Sequence, residues 1–175
     1  MRLMNSLRAA VFAIGAIFLI FSQDHSVSVG MRVLQFVTSA LAFSGLLIFA
    51  TARTKTSAKT YALPSAIAFI IALMTYALAG KTVGEVADDL FAFRAIVFLF
   101  VMAMAVYELV LSKKAHPDDV LELRISAGLG LITGLVFSLA PLDELNSVGF
   151  LSAYLALSAV QRAVWAASPT NRKKK

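Results

Sequence analysis

Few residues in this 175-residue chain belong to types that do chemistry, and where they lie limits what they can do. Cysteine is absent, which removes disulfides, thiolate nucleophiles, Cys-ligated zinc and iron–sulfur clusters together. No G-x-S-x-G, H-E-x-x-H or glycine-rich phosphate loop occurs, so no enzyme, metal site or cofactor is expected. The two histidines, His25 and His116, fall in loops on opposite sides of the arrangement derived below and cannot share a ligand. His25, next to Asp24, is the group whose charge changes across mildly acidic pH. What remains are ionisable and amide side chains in or beside apolar runs, where burying a charge is costly and marks a functional position.

Arg94 lies just inside the run 90–112, close enough to its end for the guanidinium to reach Asp88, Asp89 or lipid phosphates. Glu108, near the other end of the same run, reads first as a solvated interfacial acid. Its second reading is a buried carboxylate that binds a proton or pairs with Arg162 of the last run. A proton pathway would need a second carboxylate or histidine at depth, and the sequence offers none. Glu85, Asp88 and Asp89 form a short acidic cluster that could attract a divalent cation weakly. They also suit the start of a helix, as do Pro117, Asp118 and Asp119.

These residues need elements to hold them, and composition identifies the elements. Hydrophobic residues make up 59% of the chain and charged ones 15%, with a mean hydropathy of +0.82. Soluble domains run near 45–50% apolar and 25% charged, so the solvent for this surface is lipid. Six apolar runs occupy about 9–22, 31–52, 62–80, 90–112, 123–141 and 147–168. Runs of this length in a bilayer must pair their backbone internally and are therefore helical. The expected fold is all-α, one transmembrane domain over 1–175 with six spans.

The charges orient it. Counting Lys and Arg on alternate sides puts Arg2, Arg8, Arg53, Lys55, Lys59, Lys113, Lys114, Arg124 and the terminal Arg172 to Lys175 together, twelve in all, against Arg32 and Lys81. By the positive-inside rule both termini are cytoplasmic in the plasma or inner membrane. The net charge of +6 thereby has a topological origin, and nucleic acid is not an expected partner. Arg2 and Arg8 before an apolar run also fit a signal peptide, but no small-x-small cleavage pattern follows, so retention is expected. Tyr76, Tyr107 and Trp165 fall toward run ends as interfacial anchors.

A self-similarity search divides the chain into three helix pairs, about 8–55, 61–114 and 124–169, that is, three helical-hairpin repeats. Gly15-Ala-Ile-Phe18 in the first pair matches Gly134-Leu-Val-Phe137 in the third. Ala42-Phe-Ser-Gly45, Ala103-Met-Ala-Val106 and Ala156-Leu-Ser-Ala159 share a rung of the second helices. Small residues let helices approach closely in lipid, so Gly15, Gly45, Gly130 and Gly134 are the expected packing positions. Three tandem pairs, Phe137-Ser-Leu-Ala-Pro141 and the stretch from Val148 to Arg162 resemble the HdeD-type family of small bacterial membrane proteins. The resemblance implies an inner-membrane protein linked to acid or envelope stress, without catalytic residues. An accessory subunit of a larger complex, bound to other membrane-protein subunits or to itself, would carry the same signals. The competing expectation is a small transporter or channel with a polar path past Thr38, Ser39, Ser44, Glu108, Ser158 and Gln161.

Overall fold

Unbroken apolar runs with polar turns at their ends fold as α-helices in the computed structural model, which describes residues 2–51, 55–79 and 86–167. Six helices follow one another: α1 Arg2–Phe21, α2 Val27–Thr51, α3 Lys55–Ala79, α4 Val86–Ser112, α5 Pro117–Leu139 and α6 Glu144–Ala167. No strand occurs among the described residues. Every helix starts before its apolar run, because the polar first turn is helical too; α1 begins at Arg2 and α5 at Pro117. Five helices are long and apolar enough to cross a membrane, while α3 has a shorter apolar stretch, Ala62–Leu78, preceded by polar turns and containing Pro64.

The helices form a closed ring in chain order, with α1 also against α6. α2, α4 and α6 touch one another inside it, and α1, α3 and α5 fill the gaps between them. The most extensive contacts are α2 with α3, α4 with α5, and α1 with α6, one helix along from the hairpin pairs expected from the repeat. Glycine explains one of these. A Cβ on Gly130 of α5 would lie 3.0 Å from the Val101 carbonyl oxygen and 3.0 Å from Ala105 Cβ, both on α4. Its missing side chain lets the α5 backbone rest on α4 rather than on α6. Gly15 sits equally tightly between Val37 of α2 and Leu155 of α6, and Gly45 is buried. Gly30, which the sequence did not single out, is pressed on Phe93 and Val148.

Leu34 and Val37 of α2, Phe93, Val97 and Phe100 of α4, and Val148, Leu151 and Leu155 of α6 fill the centre with essentially no exposed surface. The outer faces are apolar as well, with Ile17 and Phe18, Phe43, Phe69 and Ile70, Leu99, Ile132 and Val160 exposed. Helices apolar on every side are those of a membrane bundle.

Candidate functional site

The polar groups that interrupt this bundle gather at its two ends. The proximal end contains the first turn of α1 and the last turns of α4 and α6; the distal end contains the α1–α2 and α5–α6 connections.

At the proximal end, Glu108 stands one turn before the end of α4 and Arg162 a turn and a half before the end of α6. Both are almost fully buried, at 2% exposure each. Arg162 Nη2 donates to Glu108 Oε1 at 2.5 Å and to Ser126 Oγ of α5 at 3.1 Å. The guanidinium also lies 5.5 Å over the ring of Phe12 on α1, close enough for a cation–π contact. One side chain thus joins three other helices. The solvated reading of Glu108 is overturned, because α6 closes over the carboxylate and the pairing reading holds in its place.

Two further contacts join α5 and α6 beside this pair. Gln161 Nε2 donates to the Glu122 carbonyl oxygen at 3.1 Å and to Glu122 Oε2 at 3.3 Å, and Trp165 Nε1 donates to Asp119 Oδ1 at 3.3 Å. Asp119 is buried. It opens α5 as expected, but its carboxylate faces α6, so an acid read as serving only the helix start also belongs to the seam. Asn5 and Arg8 of α1, the latter counted in sequence only among the topological charges, are buried at the same end. Trp165 and Tyr107 are half-buried, and only Tyr76 is well exposed among the expected anchors.

At the distal end Arg94 is half-buried and does not reach outward to Asp89, which is exposed on the first turns of α4. Its guanidinium donates to the carbonyl oxygens of Phe137 at 3.1 Å, Ala140 at 2.6 Å and Leu142 at 3.4 Å. These oxygens lie at the end of α5 and just past it, where the helix leaves acceptors unused and its dipole is negative. The guanidinium takes this nearer set of acceptors, presented inside the bundle, instead of Asp89. Glu144, the first residue of α6, accepts from Val27 N at the start of α2 at 2.6 Å, capping a helix 117 residues earlier in the chain. Asp24 accepts from Ser26 N and Ser26 Oγ. His25 is half-buried beside these acids in an open depression lined also by Gln23 and Asp143, and His116 is exposed.

Of the expected polar path, Thr38 and Ser44 turn back on their own helix. Thr38 Oγ1 donates to its own helix at Leu34 and Gln35, and Ser44 Oγ to Leu41. Ser158 is buried and Ser39 half-buried. Among the described residues no group of three His, Cys, Asp or Glu side chains is placed to hold a metal. Glu85, the basic residues Arg53 and Lys81, and the tail Arg172 to Lys175 lie outside the described residues, as do the side chains of Lys55, Lys59, Asp88 and Asp118. No family model, curated protein or solved structure matches the chain.

Proposed function

We propose that this chain is a non-enzymatic, multi-pass membrane component, an accessory or stress-related protein of the plasma or inner membrane that works by helix packing and partner binding. The HdeD-type resemblance and the three-pair repeat belong to this reading. So do six spans, with the shorter α3 counted among them, and cytoplasmic termini. The observation that carries it is the buried Glu108–Arg162 pair: the deepest ionisable groups bind one another across helices instead of converging on a cleft. Support also comes from the apolar plug of Leu34, Val97, Phe100 and Leu155 along the axis. The transporter alternative draws no support from Thr38 and Ser44, whose hydroxyls turn back on their own helices.

The experiment is purification at native expression in mild detergent with mass spectrometry of what accompanies the protein, together with a deletion strain. A stoichiometric membrane partner, or loss of acid or envelope-stress survival, is expected. Recovery of the isolated protein alone from a strain whose deletion changes neither survival nor any membrane complex refutes the reading. Orientation has its own test, because the cysteine-free chain accepts single labels cleanly. Gln23→Cys and His116→Cys are exposed positions, expected to react from the outer and the cytoplasmic side respectively.

A further inference from the structure

The seam between α5 and α6 holds more polar groups than its hydrogen bonds use. Arg162 Nε and Nη1 and Gln161 Oε1 are buried without a hydrogen-bond partner among the described residues. Their neighbours on the same two side chains, Arg162 Nη2 and Gln161 Nε2, both reach α5. Buried polar groups are satisfied in stable structures, and lipid supplies no partner from the side of a bundle. The partner must enter along the helices.

The α5–α6 seam is the polar approach to these atoms. Of the helices adjacent in the ring, α5 and α6 meet least. Their shared face is a ladder of polar rungs from the proximal end inward: Asp119 with Trp165, Glu122 with Gln161, and Ser126 with Arg162. Asp119 to Ser126 spans about 10 Å at 1.5 Å per residue. Beyond Arg162 only the buried Ser158 and Tyr154 follow on α6 before the packing turns apolar. Phe12 packs edge-on against Tyr154 at 6.4 Å, and Leu155, Leu151, Phe100 and Val97 are sealed behind them.

We infer that the α5–α6 seam is a water inlet that opens at the proximal end, admits water and small cations as far as the Glu108–Arg162 pair, and ends there. Water satisfies the unpartnered Arg162 and Gln161 atoms. Asp119 and Glu122 stand on the rungs of the seam and Glu108 at its end, so carboxylates face the inlet from its mouth inward and make it cation-preferring. The sequence lacked a second carboxylate near Glu108; the fold supplies two by bringing the first turns of α5 beside α6.

The inference rests on the membrane-bundle reading above, and single cysteines separate the two. Full-length Ser126→Cys, with Gln161→Cys on the same seam as the second variant should the first not fold, is placed in sealed vesicles of each orientation. It is exposed to membrane-impermeant methanethiosulfonates of positive or negative charge. Reaction is expected only from the side on which His116→Cys reacts, about tenfold faster with the cationic reagent. Thr38→Cys, midway along α2 with no exposed surface, should stay unreacted from both sides. Protection of both seam cysteines, reaction from the opposite side, or equal rates with the two reagents overturns the inlet. Labelling of Thr38→Cys alongside Ser126→Cys overturns its closed end. If His116→Cys itself reacts from the outer side, the orientation reading fails while the inlet is still read against that marker.

Discussion

Replacing the two members of the buried pair separately and together gives unequal costs that the geometry fixes in advance. Glu108→Leu leaves Arg162 at 2% exposure with Ser126 Oγ as the remaining side-chain acceptor of its guanidinium. Because a guanidinium does not shed its proton, the stranded charge is expected to cost about 3–5 kcal/mol. Arg162→Leu strands a carboxylate, which can neutralise itself by taking up a proton. It also forfeits the Ser126 bond and the Phe12 contact, so about 2–3 kcal/mol is expected. The double variant removes both charges into an apolar surrounding and should return to within about 1 kcal/mol of the parent. The coupling is then about 4 kcal/mol or more, far outside the additivity seen between independent sites. The chain carries its own probe. Trp165 is its single tryptophan, bonded to Asp119 beside the pair, so its fluorescence during unfolding by SDS in mixed micelles follows this end of the bundle while circular dichroism follows the helices. Single costs that simply add in the double variant, or Arg162→Leu proving costlier than Glu108→Leu, would refute the assignment of the pair as the tie between α4 and α6.

Other substitutions test the packing and the distal end by the same assay. Gly130→Ala should destabilise by about 1–3 kcal/mol because a backbone carbonyl stands where the methyl would go. Gly134→Ala should cost less, since the atoms it meets belong to the flexible Met102 side chain, and Gly149→Ala, with no atom within 4 Å, should be neutral. Arg94→Met removes the charged donor from three carbonyls; a loss of about 2–3 kcal/mol is expected, with faster amide exchange at the end of α5 as the local sign. Glu144→Ala uncaps α2 at Val27, which should cost about 1 kcal/mol and raise exchange over 27–30 without affecting the far end of α2.

Helix number and approximate position were legible in the sequence because hydropathy reports directly on what lipid tolerates. The pairing of Glu108 with Arg162 was legible too, as one alternative to a solvated or proton-binding carboxylate, because a buried charge needs a partner. Faces were less so. Gly130 and Gly134 announced close packing, but spacing within α5 cannot say whether α4 or α6 receives it, and Gly30 has no glycine four positions away to draw notice. Arg94 was misread for a related reason. Its acceptors are backbone carbonyls at the end of another helix, and carbonyls leave no mark in a sequence. Asp119 looked occupied with starting α5 and Glu122 drew no reading, and only the azimuth of α6 shows that they face it.

The polar contacts also rank the helices. α6 is held at its start by Glu144 to α2 and near its end by Arg162 to α4 and α5, with Gln161 and Trp165 adding α5 again. Its contact with α1 is among the most extensive in the ring, and it meets the last turns of α4 through a charge pair rather than through leucine. In lipid, where apolar burial between helices gains little over contact with acyl chains, such directional bonds fix rotation and register more firmly than side-chain volume does. The Arg162 guanidinium reaches as well to where the ring closes: chain connectivity joins every neighbouring pair of helices except α6 and α1, and that group over Phe12 stands on the unconnected seam.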